Sequence, residues 1–254
     1  MLLQGKKGLV LNVTNRNSIG WGIAEAAVAH GAEVGVGAQN ERMLDGVQKL
    51  IGDNPAYRLF TIDFDEESQL EQLARDVAAT YGKIDFLVHS AAYARREDLS
   101  GRFIDTTREG FDIALNVSCF SLVALCKHLE PLFNEDASVM TLSYLGSVRA
   151  VGNYNVMGVA KAALESSVRY LAQDLGDRGI RVNALSPGPI NTVSARGVKD
   201  MMTMVNHVQE KAPLKRAFGP EEVGGNAVWL MSELSQGVSG HVIYVDSGYH
   251  AVGM

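Results

Sequence analysis

The chain has 254 residues, 46% hydrophobic and 20% charged, with 23 Lys and Arg against 29 Asp and Glu for a formal net charge of -6. This is ordinary globular composition, which excludes a disordered, coiled-coil or disulfide-stapled chain, and the negative balance suits phosphate backbones badly, so nucleic acid is not an expected partner. No Pro/Gly/Ser-rich linker divides the sequence and no uninterrupted apolar run reaches the ~18 residues of a membrane span, so a single domain over 1–254 with no membrane partner is expected.

Near the amino end, Gly8-Leu9-Val10-Leu11-Asn12-Val13 is a short apolar run, and Ser18-Ile19-Gly20-Trp21-Gly22-Ile23 opens a helix after a polar loop. Ser18 is a natural N-cap. The N–H groups of the first helical turn form a positive end suited to a pyrophosphate, and Gly20 and Gly22 allow close approach to sheet and ligand. Asn12 stands where a first glycine of a G-x-G-x-x-G turn is expected, and Asn is the residue other than glycine that best tolerates positive φ. Taken alone, this stretch also fits any strand-to-helix turn of an α/β protein.

The alternation then repeats: strand at 33–38, helix at 40–51, strand at 56–63, helix at 66–81, strand at 84–89, a long helix at about 108–129 and strand at 138–142. A helix carrying Tyr154 and Lys161 runs to about 174, followed by strands at 180–185 and 241–245. Strands alternating with helices imply right-handed crossovers and a parallel sheet. The expected fold is therefore α/β: one doubly wound Rossmann-type domain with a seven-stranded parallel sheet and helices on both faces.

Strand ends mark the candidate ligand groups. Gln39, after the second strand, can bond sugar hydroxyls, and Glu41 there disfavours a 2′-phosphate, although Arg42 is adjacent. Asp63 can accept from an adenine amino group with Phe64 beside it, or it can cap the helix that follows. Ser90, Ala91 and Ala92 are small enough to leave room for a nicotinamide ribose, and His89 before them reads as structural. After the sixth strand, Ser186-Pro187-Gly188-Pro189-Ile190-Asn191-Thr192 fixes a sharp turn whose Ile190 backbone and Thr192 can bond a carboxamide. Met201, Met202, Met204 and Val205 lie among polar residues in the segment 191–213, which reads either as a substrate lid with an adaptable apolar lining or as an ordinary surface helix. Cys119 and Cys126, seven apart on a predicted helix, lie about 10 Å from each other, too far for a disulfide, and read as core thiols in a reducing cytoplasm. The run from Met1 through Gly5-Lys6-Lys7 into strand residues leaves no room for a targeting peptide, and no metal site is expected.

The chemical centre falls at 141–161. Tyr154 and Lys161 are seven residues apart, and seven helical steps return to within roughly 20° of the same face, so both can address one ligand. Tyr144 follows the apolar strand 138–142 and faces the crevice at its carboxyl end. The same tyrosines could equally be half-buried packing residues with satisfied hydroxyls.

Four stretches carry a resemblance: Ser18-Ile19-x-x-Gly22-Ile23-Ala24, the array of Tyr144, Tyr154 and Lys161, Arg181-Val182-Asn183 with Gly188-Pro189-Ile190-x-Thr192, and Val245-Asp246-Ser247-Gly248. Over essentially its whole length the chain resembles the short-chain dehydrogenase/reductase superfamily, and within it the bacterial-type enoyl-acyl-carrier-protein reductases. Most of that superfamily places tyrosine and lysine four apart, whereas position 157 here is Met157 and the tyrosine stands at minus seven, which is the reductase pattern. Asn12 in place of a glycine, and Ser186-Pro187-Gly188 where these reductases usually have Ala-Gly, are departures on loops that contact cofactor.

The resemblance implies reduction of the C=C bond of trans-2-enoyl-acyl-carrier-protein thioesters in fatty-acid elongation, with NADH preferred over NADPH. It implies that Tyr154 polarises the thioester, Lys161 positions the nicotinamide ribose and Tyr144 contacts substrate. Ile19 and Pro187 join the cofactor contacts, while Ala92, Met157, Ala195, Met201 and Met204 join the substrate contacts. A homotetramer served by acyl-carrier protein is expected. A carbonyl or alcohol oxidoreductase of the same superfamily is the alternative, disfavoured by Met157; a nucleotide-binding regulator without turnover is the other, disfavoured by retention of all three array residues.

Overall fold

The computed structural model describes residues 1–192, 195, 200–216 and 218–253. Seven strands, β1 Lys7–Leu11, β2 Glu33–Ala38, β3 Tyr57–Thr61, β4 Ile84–His89, β5 Phe133–Leu142, β6 Arg181–Pro187 and β7 Val242–Val245, form one sheet in the order β3-β2-β1-β4-β5-β6-β7. Every pairing is parallel, as the alternation of strands and helices requires. Successive strands are added to one side of β1 as far as β3 and to its other side from β4 onward, and this switch between β1 and β4 opens the crevice of a doubly wound fold at their carboxyl ends.

Side-chain alternation along the central strands fills two cores. Leu9 and Leu11 point to one face, with Leu122, Leu125 and Leu164, while Val10 points to the other, with Ile23, Val36 and Val223. Each such fully buried side chain contributes roughly 1.5–3 kcal/mol. Helices α1 Ile19–Ala29, α2 Glu41–Ile51 and α9 Pro220–Met231 cover the second face. The first is covered by α3 Glu67–Tyr81, the successive helices α5 Arg108–Leu115 and α6 Ser121–Leu129, and α7 Asn155–Leu175. The single-turn α4 Arg96–Leu99 and the helix α8 Met201–Lys211 flank the crevice. Helix α1 meets α9 at backbone distance: a Cβ on Gly22 would lie 2.5 Å from Pro220 Cβ, and one on Gly224 would lie 2.6 Å from the Gly22 carbonyl oxygen.

Several boundaries differ from the sequence expectations for identifiable reasons. Strand β1 stops at Leu11 because Asn12 has φ 68 and leaves the extended region. The long helix at 108–129 is interrupted by a π turn at Asn116–Phe120, a feature that hydrophobic periodicity does not register. Strand β5 begins at Phe133 rather than 138, with an irregular register against β4 between Ile84 and Phe86. Asp63 does not cap α3; its Oδ1 accepts from Asp65 N at 3.1 Å, and the helix starts at Glu67. The stretch Arg108–Leu132 is apolar and long enough to cross a membrane by composition alone, yet half of it is buried inside this fold.

Candidate active site

The crevice is built first by β1 and β4. At their carboxyl ends Asn12 donates from Nδ2 to the Ser90 carbonyl at 3.0 Å, and Ser90 Oγ donates to the Leu11 carbonyl at 2.5 Å. The positive φ expected of Asn12 thus places its amide as a clip across the point where the two strands diverge. Ser18 caps α1: its Oγ accepts from Trp21 N at 3.2 Å and donates to the Asn15 carbonyl at 2.7 Å. This presents the N-terminus of α1, at Ile19 and Gly20, to the cavity. A Cβ on Gly20 would approach Ser90 Oγ to 3.0 Å, so glycine lets α1 settle against the β4 loop.

The cavity has a volume of about 420 Å³. Tyr144, Tyr154 and Lys161 all line it. Tyr154 is the N-cap residue of α7 and Lys161 lies two turns along, so the shared face expected from their spacing is present. The Tyr144 and Tyr154 rings meet edge to face, centroids 4.8 Å apart at 63°. Gly146 makes this possible, since a Cβ there would lie 2.5 Å from Tyr154 Cδ1 and 3.2 Å from Tyr144 Cδ1.

Lys161 is 4% exposed, and Nζ donates to the Leu142 carbonyl at 2.7 Å. Burial draws its ammonium from 10.5 down to about 8, against the opposing influence of Cys119 and Glu165. Burial, and secondarily the neighbouring Tyr144, pushes the Tyr154 phenol far above its usual range. The Tyr144 phenol is raised to about 12, chiefly by burial and also by Tyr249. Both hydroxyls therefore keep their protons at neutral pH and serve as donors.

Behind this floor His89 is fully buried, with Nδ1 2.8 Å from Thr141 Oγ1 and Nε2 2.8 Å from Ser121 Oγ. Ser121 already donates its proton to the Val117 carbonyl at 2.7 Å, so Nε2 carries the ring proton and Nδ1 accepts from Thr141. Burial, reinforced by the Lys161 charge, lowers the imidazole to about 3. It is a neutral structural residue, as its sequence setting implied.

Of the remaining sequence candidates, Asn12, Ser18, Ile19, Ser90, Pro187, Ile190 and Thr192 line the cavity on the α1 and β6 sides. Thr192 Oγ1 accepts from Ala195 N at 3.0 Å and so orients the start of the next segment. Ala92, Met157, Ala195, Met201 and Met204 line the opposite side, where Met157 joins Leu99 and Ala160 in an apolar cluster with Met201 and Met204 packed on it. Met202 is 51% exposed and does not reach the cavity: on α8 it sits one step, about 100°, from Met201, whereas Met201 and Met204 share a face. Parts of the 191–213 segment, at 193, 194 and 196–199, lie outside the described residues.

Four candidates are not brought to this wall. Ala91 is buried in the core, Phe64 stands edge-on to His89 at 5.8 Å, and Gln39 donates from Nε2 to Asp63 Oδ2 at 3.2 Å beyond the end of β2. Conversely, Tyr93, Ala94, Arg96 and Leu99 line the cavity without having been singled out. Their position directly after a sheet strand was the available signal, because loops at the carboxyl ends of parallel strands are where ligands bind. The π turn fixes this loop: Ser118 Oγ accepts from Tyr93 N at 2.9 Å and donates to the Tyr93 carbonyl at 3.1 Å. A network on Arg95 holds its far end, with Nε on Asp98 Oδ2 at 2.8 Å and Nη1 on Glu109 Oε2 at 3.0 Å.

A doubly wound sheet with a helix N-terminus at its switch point, and a lysine with two protonated phenols across the crevice, defines a dinucleotide-dependent oxidoreductase. Comparison with known proteins narrows this class. Residues 13–250 match the family described as enoyl-(acyl carrier protein) reductase. The chain is 43% identical to the enoyl-acyl-carrier-protein reductase (NADH) FabI of Rickettsia typhi over 252 residues, which is 99% of this chain and 97% of that one. It is 44% identical to the like-named protein of Bacillus cereus, covering 99% of both chains. Among solved structures, the Bacillus cereus enoyl-acyl carrier protein reductase, described as a complex with NADP+ and indole naphthyridinone, superposes with a TM-score of 0.97 at 44% identity, covering 100% of this chain and 99% of that one. The Aquifex aeolicus enoyl-acyl-carrier-protein reductase (NADH) superposes with a TM-score of 0.96 at 37% identity, covering 100% of both chains. The chain belongs to the enoyl-acyl-carrier-protein reductase family.

Proposed function

We propose that this protein reduces the C=C bond of trans-2-enoyl thioesters carried by acyl-carrier protein, using NADH, in fatty-acid elongation. One observation carries the reading: a cavity walled by Tyr154 and Lys161 seven apart, with buried, apolar Met157 at the position four before the lysine. That arrangement offers no acid at the site where a carbonyl reductase of the superfamily keeps its tyrosine.

The chain's own groups suit a dinucleotide. The α1 N-terminus at Ile19 and Gly20 is closed in by the Asn12 clip, and Lys161, with one N–H engaged by Leu142, retains two donors for ribose hydroxyls. Ser90 and Pro187 line the cofactor side of the cavity, Gln39 and Asp63 beyond its end would receive the adenosine with the Phe64 backbone beside them, and Ile190 and Thr192 would hold the carboxamide. Glu41 in the first turn of α2 supports NADH over NADPH.

Bound NADH supplies the hydride to the β-carbon. Tyr154, kept neutral by burial, donates a hydrogen bond to the thioester oxygen as negative charge grows there; a preorganised donor of this kind contributes about 3 kcal/mol. Lys161 acts first by position. Tyr144 lines the acyl site beside the carbonyl, and the α-carbon takes its proton from solvent. Ala92, Met157, Ala195, Met201 and Met204 surround the acyl chain, with 191–213 as a lid.

A homotetramer is supported by exposed Phe120, Val159 and Tyr170 on the helical side of α6 and α7. The cytoplasm suits the two free thiols, Cys119 and Cys126. The reading is tested by incubating the protein with NADH and an enoyl thioester and weighing the thioester by mass spectrometry. A gain of two hydrogens supports it, and an unchanged mass opposes it.

A further inference from the structure

Glu165 lies on α7 one turn beyond Lys161 and is 7% exposed. Its Oε1 accepts from Ser143 Oγ at 2.5 Å and from Ser147 Oγ at 2.6 Å. These two serines bracket Tyr144. The corner they define leaves β5 through Ser143, whose N donates to the Leu185 carbonyl at 2.7 Å, and turns at Ser147, whose N donates to the Tyr144 carbonyl at 2.9 Å. Gly146 lies between them, where its missing Cβ admits the Tyr154 ring but leaves the corner little stiffness of its own.

A buried carboxyl group is unfavourable unless its oxygens are engaged, and here Ser143 and Ser147 both belong to the short corner that carries Tyr144. Ser143 and Tyr144 line the cavity, whereas Glu165 does not. The same two turns of α7 therefore set Lys161 directly and the Tyr144 corner through Glu165. We propose that Glu165 is a positioning residue: through Ser143 and Ser147 it fixes the Tyr144 ring against Tyr154 at the substrate wall. This role rests on the enoyl thioester reading above, since its measure is turnover of that substrate.

The test uses the full chain and compares wild type with Glu165→Ala, Glu165→Gln and Ser143→Ala/Ser147→Ala, each also in a Tyr144→Ala background. The alanine variants are expected to lower kcat/KM for the enoyl thioester about tenfold through misplacement of the ring. Glu165→Gln, whose amide oxygen still accepts both hydroxyls, restores most of the loss. In the Tyr144→Ala background the same substitutions change kcat/KM less than about twofold, because the ring they act through is already gone. Undiminished kcat/KM in the serine double variant, which keeps α7 unchanged and so reads the role even where Glu165→Ala fails to fold, would overturn the assignment. An equal loss with and without Tyr144→Ala would overturn it as well, since a merely structural role predicts that equality. A wild-type protein that binds NADH but leaves the thioester unreduced would overturn the function reading and this role with it, whereas the variant outcomes overturn this role alone.

Discussion

Tyr144 and Tyr154 face each other edge to face across 4.8 Å at the head of α7, both buried enough that their hydroxyls stay protonated. The proposed function assigns unlike work to these two like side chains. Tyr154 stands at the helix cap with Lys161 on its face, and Tyr144 rides on a corner of β5. Replacing Tyr154 by Phe removes the donor and little else, so kcat should fall by about two orders of magnitude, the equivalent of about 3 kcal/mol. NADH affinity, measured by direct titration, should stay within about twofold. Full turnover by the Phe variant would remove the phenol from the mechanism.

For Lys161 the sign of the pH effect can be worked out. Burial lowers its pKa from 10.5 to about 8, so between those values the unfolded chain holds a proton that the folded chain has released. Its penalty on stability is complete below pH 8, roughly 3 kcal/mol, and fades as pH rises toward 10.5. Cofactor binding runs the opposite way, because the ammonium is what the ribose hydroxyls need. The NADH Kd should rise about tenfold between about pH 7 and about pH 9. In Lys161→Arg the charge persists and the rise should vanish. Titrations at the two pH values check this, and the same ratio in both proteins would count against Lys161 as the titrating group.

Gly146→Ala should damage catalysis more than folding. The new methyl would sit 2.5 Å from Tyr154 Cδ1, and the ring must shift at a cost of about 1–3 kcal/mol. A drop in kcat accompanied by only a few degrees in Tm is the expected pattern; unchanged kcat would mean that the ring position is not critical.

The acyl wall makes a claim about chain length. Met201→Ala and Met204→Ala should each raise KM for long-chain enoyl thioesters several-fold and leave short-chain substrates nearly untouched, because truncating these partly buried side chains loses about 1–3 kcal/mol of apolar contact with the acyl chain. Met202→Ala, at an exposed position, should change neither. Equal KM shifts for all chain lengths would argue against this lining.

Much of this architecture was legible because it rests on local rules. Period-two and period-3.6 patterns gave all seven strands and most of the helices, though not α9 Pro220–Met231, Ser18 announced its helix by capping chemistry, and Asn12 signalled its left-handed turn. The interval from Tyr154 to Lys161 needed only helical geometry to join them, and a family pattern to give the join a reaction. What escaped depends on contacts distant in sequence. The π turn exists where Ser118 reaches Tyr93 and Asn116 reaches Asp65, and nothing within 116–120 announces those partners. Tyr93 and Leu99 became wall residues because the Arg95 network folds their loop inward. Met202 was placed with its neighbours because composition cannot fix the phase of a helix that begins at Asp200 with φ 61. Glu165 reads as an ordinary helix acid until its serines, 22 and 18 residues away, are brought beneath it.

The central claim is that this cavity reduces a C=C bond conjugated to a thioester. The most direct measurement mixes the protein and NADH with a trans-2-enoyl thioester and, separately, with simple ketones, and follows the loss of reduced-cofactor absorbance. The geometry of Tyr154, Lys161 and Met157 predicts oxidation of NADH with the enoyl thioester and none with the ketones. Oxidation with ketones alone, or with neither substrate, would contradict it.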